Sequence, residues 1–506
     1  MSHVQFGDYV MFCNSTGIQT VNLLPILQFQ CKQAVIISTD HTEKGLQTQR
    51  LMNLLKKNNV SAEKIFIDTN EEKNLRDLTN KLIQQAKGYS NIIWNISGGQ
   101  KIPAAALTTA FQKRITDGFI HDIVTYMEAK PPEIWYFGND YKIHKLRTSV
   151  FMSLQDLLNL AGFETVDEDR LYPDPSEDVK AKIEIGKRAF EYFRDNELFR
   201  EAFFNYMKPS ELSVRSMVDI KELIKKKLNE VKPEINDLHV SKSGYEDMEQ
   251  KITQIFSRLE KANNKEELKK IIAPLKLIQK PREIYDDYWN SIKKAVIDKV
   301  LRSIEQDEVK VINSPIDKQQ AETLKKQINS IGGIVSYKEG LFFKKDISVF
   351  SHFKSNGILF EWMVAAAILE EVEKDNRLKD SISEIYHGVK TKNLNSNEKH
   401  DAEHDIIIVT KFGTLIIIEL KTYEFSGDLV QAQEGLAYKK SGPYGTAIII
   451  GPLLSSMIGK DSKGNKEYPH YIDGPIKSQE DTAKQNNTDY YYLDKLHDML
   501  KKKLFI

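Results

Sequence analysis

Cysteine is scarce in this chain of 506 residues, which contains only Cys13 and Cys31. Two thiols cannot form the disulfide framework of a small secreted domain or the four-ligand set of a zinc ribbon. Both residues lie in strongly apolar stretches, where a free cysteine usually behaves as a small core residue. We therefore expect two buried thiols that serve packing.

The chain also lacks a net charge, because 72 Lys and Arg residues balance 72 Asp and Glu residues. This balance argues against a protein coated in basic residues, although a local basic groove can still bind nucleic acid. The longest apolar runs, Leu415–Ile418 and Ala447–Ile450, are far shorter than the roughly 18 residues of a membrane span. The first ten residues lack the basic and apolar regions of a secretory signal. These absences predict a soluble, cytoplasmic protein.

Residues 1–165 alternate short β-rich runs with stretches of helical length and period. Such alternation implies a parallel sheet with right-handed crossovers, which is a Rossmann-like α/β domain. The last two strands lack an intervening helix, so this end of the sheet is expected to be antiparallel. The predicted strands are Tyr9–Cys13, Ala34–Thr39, Lys64–Asp68, Asn91–Asn95, His121–Met127 and Ile134–Phe137, and the predicted helices are Glu43–Lys57 and Glu71–Lys87.

Residues 166–345 differ in composition from the region before them. The stretch from Lys221 to Asn290 is more densely charged than the chain as a whole, and its apolar residues keep a helical period. Charges in such stretches usually lie on solvated helix faces. We interpret residues 166–345 as a mostly helical middle domain.

Residues 346–506 are predicted to form a second α/β domain, with the order helix, three strands, helix, strand. The first helix carries Glu361 near its start. The predicted helices are Ile358–Val372 and Gly427–Lys440, and the predicted strands are Ile382–Val389, Asp405–Thr410, Thr414–Leu420 and Thr446–Ile450.

The strongest chemical pattern in the chain is a predicted β-hairpin with the sequence AEHDIIIVTKFGTLIIIELK. Side chains two apart on a strand share a face, so Glu419 and Lys421 point the same way. A three-residue loop with Gly413 in the left-handed conformation sets the register. In that register Asp405 lies opposite Glu419, and Glu403 lies opposite Lys421. The hairpin thus gathers three carboxylates and one lysine.

Opposed carboxylates repel each other, and a divalent cation converts that repulsion into binding. Ligand sets made of oxygen atoms favour Mg²⁺ or Mn²⁺ over Zn²⁺. A lysine beside the metal can orient the attacking water and offset charge that develops on a phosphate. The alternative is a set of solvated charges at strand ends, since Glu-x-Lys alone carries little information. The combined spacing and register favour metal-assisted phosphodiester hydrolysis, with Glu361 as a candidate third carboxylate.

Two polar loops follow strands of the first domain and are expected at the same edge of its sheet. The loop Ser97–Lys101 leads into a helix, and the loop Asn14–Gly17 follows the first strand. Paired glycines permit close approach of a ligand, and a helix N-terminus presents free N–H groups to an anion. A glycine-rich turn that merely caps a helix is the alternative for either loop. Together the loops suit a ligand that bears phosphate groups.

The C-terminal pattern Gly357-x3-Glu361, Asp405 and Glu419-x-Lys421 resembles the PD-(D/E)xK nuclease superfamily. The resemblance implies that Glu361, Asp405 and Glu419 are metal ligands for Mg²⁺ or Mn²⁺ and that Lys421 is the catalytic lysine. The role of Glu403 stays open, since it can touch a metal or pair with Lys421.

The motif N-I-S-G-G-Q-K resembles CRISPR-associated Rossmann-fold (CARF) sensor domains, especially those fused to PD-(D/E)xK nucleases. Members of that family bind cyclic oligoadenylates, most often cyclic tetra-adenylate, across the two-fold axis of a domain pair. One sensor domain per chain therefore implies a homodimer. The resemblance implies a ligand site formed by Asn14, Ser15, Thr16, Ser97, Gly98, Gly99, Gln100 and Lys101.

These resemblances together imply a cyclic-oligoadenylate-activated, metal-dependent endonuclease of type III CRISPR antiviral defence. Its expected substrate is single-stranded RNA, DNA or both, with nicking of duplex DNA as a further activity. Two alternatives stay open. One is a constitutive DNA-repair or restriction nuclease with another nucleotide ligand, and the other is a non-catalytic regulator that responds to nucleotides.

Overall fold

The computed structural model describes residues 6–67, 74–99, 101–128, 131–207, 257–258, 261, 267, 270, 308–310, 312, 316–332, 335–338, 341–345, 356–422, 425–442 and 445–506. These residues fall into two compact units, one formed by residues 1–187 with 360–506 and the other by residues 188–359. The limits differ from the boundaries expected at 165/166 and 345/346, because N-terminal and C-terminal segments share one unit.

The N-terminal sheet has seven strands: β1 (Val10–Asn14), β2 (Gln33–Thr39), β3 (Ser61–Ile67), β4 (Ile92–Asn95), β5 (Ile123–Glu128), β6 (Glu133–Phe137) and β7 (His144–Arg147). Their spatial order is β3-β2-β1-β4-β5-β6-β7. The first five strands are parallel, and β6 and β7 are antiparallel to their neighbours. The prediction of a Rossmann-like sheet with an antiparallel end is confirmed.

The helices of this domain are α1 (Thr20–Gln28), α2 (Asp40–Lys44), α3 (Gln47–Lys57), α4 (Leu75–Ala86), α5 (Lys101–Thr116) and α6 (Leu154–Ala161). The predicted helix over 43–57 is wrong at its start, because the chain turns between α2 and α3. Leu46 adopts a left-handed conformation there, with φ of 59°. The predicted residues 68 and 71–73 lie outside the described part of the chain.

After α6 the chain forms β8 (Phe163–Tyr172), then α7 (Glu177–Asp195) and α8 (Glu197–Met207). In residues 308–345 the described elements are β9 (Glu308–Lys310), α9 (Lys318–Ser330), β10 (Val335–Lys338) and β11 (Leu341–Lys345). The three strands form an antiparallel sheet of order β10-β11-β9. The middle region therefore contains strands as well as the expected helices, and most of Lys221–Asn290 lies outside the described residues.

The C-terminal region contains α10 (Asn356–Lys374), α11 (Asn376–Ser381), β12 (Ile382–Asn393), β13 (Ala402–Thr410), β14 (Leu415–Leu420), α12 (Gly427–Ser441), β15 (Thr446–Ile450), β16 (Gly459–Lys460), β17 (Lys466–Glu467), α13 (Gly474–Lys477), α14 (Gln479–Gln485), β18 (Asp489–Tyr491) and α15 (Leu496–Leu504). Its mixed sheet has the order β18-β15-β14-β13-β12-β8. The predicted helix, three strands, helix and strand are all present. The sheet also takes β8 from the start of the chain as an edge strand.

One hydrophobic cluster joins the two ends of the chain within the same unit. It contains Met11 and Leu24 from the N-terminal domain and Ile407, Leu415 and Ala437 from the C-terminal region. Cys13 and Cys31 are buried in the same cluster, as expected for packing thiols. None of the helices in the described ranges has the length and apolar composition needed to cross a membrane.

Candidate functional site

The two polar loops of the N-terminal domain meet at the carboxyl edge of its sheet, because β1 and β4 are parallel neighbours. The Asn14 amide nitrogen Nδ2 donates a hydrogen bond to the Gly98 carbonyl oxygen at 3.2 Å. Gly99 has φ of 87°, and a Cβ there would lie 1.8 Å from Asn14 Nδ2. A side chain at position 99 would thus collide with Asn14, which explains the need for glycine at this contact.

Buried amides hold both loops in place. Asn22 donates from Nδ2 to the Asn14 carbonyl oxygen at 2.8 Å, and Asn95 donates from Nδ2 to Asn22 Oδ1 at 3.0 Å. Asn95 Oδ1 in turn accepts a hydrogen bond from the Ser97 backbone N–H at 3.0 Å. Sequence reasoning missed Asn22, whose position in the first turn of an apolar helix gave no local signal of a role in the loop.

The remaining predicted ligand residues have different environments. Ser15 is buried, and its hydroxyl accepts a hydrogen bond from Gln19 Nε2 at 2.7 Å. Thr16 is partly exposed, and Lys101 is exposed as the first residue of α5. Gln100 lies outside the described residues. Asn14 Oδ1 is buried without a hydrogen-bond partner among them, so this edge carries an unused acceptor.

The predicted hairpin of the C-terminal sheet is confirmed in its register and in its turn. The ladder pairs Ile406 with Ile418, and the backbone N–H of Thr410 donates to the carbonyl oxygen of Thr414 at 3.0 Å. Gly413 adopts the left-handed conformation, with φ of 71°. The hairpin therefore brings the first half of β13 beside the end of β14, where the predicted charged residues lie.

Beyond the ladder, the Asp405 carboxylate contacts the end of β14. Its Oδ2 accepts a hydrogen bond from the Leu420 backbone N–H at 2.7 Å. Lys421 Nζ donates to Glu419 Oε1 at 2.5 Å. The structure thus brings Asp405, Glu419 and Lys421 to one end of the hairpin.

Burial and mutual repulsion make these carboxyl groups poor acids. Burial raises the pKa of Asp405 to about 8, with further contributions from the charges of Glu419 and Glu361. Burial also raises the pKa of Glu419, although the neighbouring Lys421 opposes the change. Carboxyl groups with raised pKa values at one site are typical of functional clusters.

Glu361 reaches the same cluster from α10. Its charge raises the pKa values of both Asp405 and Glu419. Glu361 Oε2 lies 2.9 Å from His387 Nε2 on β12. Sequence reasoning missed His387, because the contact depends on how α10 packs against β12 and leaves no local pattern.

Glu403 is exposed on β13, where the register pairs it with Lys390 of β12. The pKa of Lys390 is raised by its hydrogen bond to Asp167 and then by the charge of Glu403. The charge of Glu403 also contributes to the raised pKa of Glu419. Its side chain therefore acts on the cluster at a distance, and its pairing with Lys421 stays a prediction.

The donor set at this end of the hairpin fits a divalent cation in chemistry. Its ligand atoms would all be carboxylate oxygens, and Glu419 Oε2 is buried without a hydrogen-bond partner among the described residues. Within those residues, however, no three His, Cys, Asp or Glu side chains already have the geometry of a metal site. A cation would have to draw the carboxylates closer together.

Comparisons with known proteins bear on both regions. Residues 17–130 match the family model described as the Card1 CARF domain. A search of curated protein sequences gave no significant match. The solved structure of protein VC1899 from Vibrio cholerae is similar over 98% of this chain and 97% of its own, with 13% identity and a TM-score of 0.54.

Can2 from Sulfobacillus thermosulfidooxidans, solved in complex with cyclic tetra-adenylate, is similar over 98% of this chain and 99% of its own. The identity is 12% and the TM-score is 0.52. A type III CRISPR defence DNA nuclease activated by cyclic oligoadenylate gives a TM-score of 0.41, with 10% identity over 94% of this chain and 52% of its own. The first two likenesses extend along the whole chain and show its fold. The family match shows that the N-terminal domain is a CARF domain.

Proposed function

We propose that this chain is a cyclic-oligoadenylate-activated, metal-dependent endonuclease of type III CRISPR defence. The CARF domain would be the sensor, and residues 346–506 would form a cytoplasmic PD-(D/E)xK nuclease domain. The observation that carries the proposal is the carboxylate cluster at the hairpin end, with its raised pKa values and its adjacent lysine. A buried acidic cluster is costly to a fold, and binding of a cation compensates for that cost.

Each residue of the cluster has a chemical role in this proposal. Asp405 and Glu419 would hold Mg²⁺ or Mn²⁺, with Glu361 as the third carboxylate. The bound cation would supply Lewis-acid charge to the scissile phosphate. Lys421 would position the attacking water and offset negative charge on the phosphate in the transition state. The hydrogen bond between Lys421 and Glu419 keeps the lysine next to the metal ligand before substrate arrives.

The proposed substrate is single-stranded RNA, DNA or both, and duplex DNA is expected to be nicked. A neutral chain is compatible with this substrate, because the metal ions themselves supply positive charge to the phosphate. The β13–β14 ladder ends at the pair Ile406–Ile418, next to Asp405 and Glu419.

The proposed activator site comprises Asn14, Ser15, Thr16, Ser97, Gly98, Gly99, Gln100 and Lys101. The ligand would be a cyclic oligoadenylate, in the first place cyclic tetra-adenylate, bound across the two-fold axis of a homodimer. The unpaired Asn14 Oδ1 and the exposed Lys101 at the start of α5 suit adenine and phosphate groups respectively. The structure of Can2 was solved with that ligand.

Direct contacts between the two domains support coupling of sensing to cleavage. Ile18, beside the first sensor loop, packs against Gly442 after α12, where a Cβ would lie 2.4 Å from Ile18 Cγ2. Two residues earlier in the chain, Lys440 Nζ lies 2.5 Å from His404 Nε2. His404 precedes Asp405, so a displacement of the sensor loop has a short route to the cluster. The activator must bind the active arrangement more tightly for this route to transmit a signal.

A cleavage assay tests the proposal on single-stranded RNA, single-stranded DNA and duplex DNA. It uses Mn²⁺ or Mg²⁺ and a panel of cyclic oligoadenylates of different ring size. Glu419→Ala and Lys421→Ala should abolish cleavage and leave activator binding intact. Lys101→Ala should raise the activator concentration needed for cleavage.

Full activity of both hairpin variants would contradict the active-site assignment. Equal cleavage with and without activator would instead favour a constitutive repair or restriction nuclease. Absence of metal-dependent cleavage under every condition would favour a non-catalytic regulator.

A further inference from the structure

A buried histidine lies directly behind the proposed metal ligand Glu361. His387 Nε2 is 2.9 Å from Glu361 Oε2, and the histidine is only 6% exposed. A carboxylate oxygen can only accept a hydrogen bond, so Nε2 carries the hydrogen in this contact. The hydrogen bond therefore occupies one oxygen of Glu361 and leaves the other available.

The imidazole ring is fixed from two further directions. Trp362 packs against it with ring centroids 4.3 Å apart. On the other edge, His387 Nδ1 lies 3.8 Å from Asp169 Oδ2 on β8. Asp169 is itself contacted by Lys182 of α7 at 3.5 Å. The imidazole of His387 is thus surrounded by residues of β8, α7 and α10. Among the proposed metal ligands, its hydrogen bond is to Glu361.

We propose that His387 is a positioning residue of the cleavage site, which fixes the orientation of Glu361 so that its second oxygen faces the cation. This inference rests on the proposed nuclease function. A ligand whose rotamer is fixed before metal arrives loses less conformational freedom on binding, and partners of this kind commonly change metal affinity 10–100-fold. The adjacent Trp362 ring restricts the orientation in which Nε2 faces Glu361.

The alternative is a histidine that only completes the packing between α10 and β12. That alternative predicts a loss of stability without a specific loss of metal affinity. Metal affinity of the free protein therefore separates the two readings, because it is independent of substrate and activator. Removal of Glu361 should also remove any effect of His387, if the histidine acts through that carboxylate.

The experiment compares His387→Gln, His387→Leu and the control Tyr386→Phe on the full chain. Glutamine can place an N–H donor near the position of Nε2, whereas leucine cannot. Tyr386 is the neighbouring buried residue on β12 and belongs to the hydrophobic cluster shared with the CARF domain. Mn²⁺ affinity is measured by calorimetry on chelator-treated protein, thermal melting reports folding, and cleavage is titrated with Mn²⁺.

We expect His387→Leu to weaken Mn²⁺ binding at least tenfold and to raise the Mn²⁺ concentration for half-maximal cleavage by a similar factor. His387→Gln should recover most of the affinity, and Tyr386→Phe should match the wild type. In a Glu361→Ala background, His387→Gln and His387→Leu should bind Mn²⁺ equally.

Unchanged Mn²⁺ affinity in His387→Leu, with normal cleavage by the wild type, would overturn the inference and leave the proposed function standing. If His387→Leu does not fold, His387→Ala takes its place, and unchanged Mn²⁺ affinity in that variant overturns the inference as well. A wild-type protein that neither binds Mn²⁺ nor cleaves would overturn the proposed function, and the inference with it.

Discussion

Replacement of Asp405 by asparagine should stabilise the metal-free protein at alkaline pH while abolishing cleavage. Burial and the charges of Glu419 and Glu361 raise the pKa of Asp405 from 3.8 to about 8 in the folded chain. Between these values the folded protein keeps a proton that the unfolded chain releases. Stability must therefore fall as pH rises through this window, and it is fully retained only below the unfolded pKa.

The size of the effect follows from the same two values. A tenfold change in acid strength corresponds to about 1.4 kcal/mol, so the difference from 3.8 to about 8 sets a ceiling of about 6 kcal/mol. Glu419 shares the repulsion, and local rearrangement relieves part of it. We expect Asp405→Asn to gain about 2 kcal/mol over the wild type at pH 8.5 and almost nothing at pH 4. Asparagine can still accept the hydrogen bond from the Leu420 N–H.

The assay is thermal melting of wild type and variant in chelator across pH 4–9. The cooperative unit that contains Asp405 is larger than 250 residues, so about 2 kcal/mol corresponds to a rise in Tm of roughly 3 °C. Asp461→Asn is the matched control, since hydrogen bonds to Asn465 lower the pKa of that exposed carboxyl and no alkaline gain is expected. Addition of Mn²⁺ should raise the Tm of the wild type and leave Asp405→Asn nearly unchanged. A difference in Tm that is the same at every pH would refute the reasoning.

Three further predictions concern the sensor, its fold and its coupling. Gly99→Ala places a Cβ 1.8 Å from Asn14 Nδ2 and should weaken cyclic tetra-adenylate binding at least tenfold in calorimetry. The control Gly88→Ala, whose Cβ meets open space, should bind normally, and equal affinities of the two variants would contradict the loop geometry. Asp122→Ala should lower the free energy of unfolding by about 3–5 kcal/mol in urea titrations, because Arg114 would stay buried without the carboxylate 2.7 Å from its Nε. A loss below about 1 kcal/mol would show that this ion pair is dispensable for stability. Gly442→Ala should raise the activator concentration for half-maximal cleavage several-fold, because its Cβ would collide with Ile18. The control Gly464→Ala has a similar positive φ but no neighbour within 4 Å, and matching activation curves for the two variants would exclude this route of coupling.

Short-range rules predicted the hairpin in detail. Gly413 supplies the left-handed residue that a three-residue loop needs, and the apolar runs on either side fix the register, so Asp405 reaches the end of β14 as expected. The same rules were sufficient for the two sensor loops, since the carboxyl ends of β1 and β4 are adjacent in a parallel sheet. These parts are predictable because each contact is decided within one turn or one pair of strands.

The parts that sequence reasoning missed depend on contacts between distant segments. Strand β8 is rich in charge and has little apolar alternation, which is common for an edge strand, and only its pairing with β12 reveals it. His387 has no motif of its own, and its contact with Glu361 exists because α10 packs across β12. Leu46 breaks a helix whose apolar period continues on both sides, so periodicity alone hides the turn.

The tight packing of the apolar hairpin determines how close its carboxylates stay to each other. Ile406, Ile407, Ile417 and Ile418 are almost completely buried, so the strands that carry Asp405 and Glu419 cannot shift to relieve the repulsion between them. A less tightly packed hairpin would let the carboxylates of Asp405 and Glu419 move apart, and the cluster would no longer have a fixed geometry. Burial, together with the repulsion that rigid strands maintain, raises the pKa values of both groups, and a bound cation would recover that energy. If the proposed cation binds here, the stability lost in the metal-free state contributes to its binding, and a variant that gains stability at Asp405 should lose affinity for the cation.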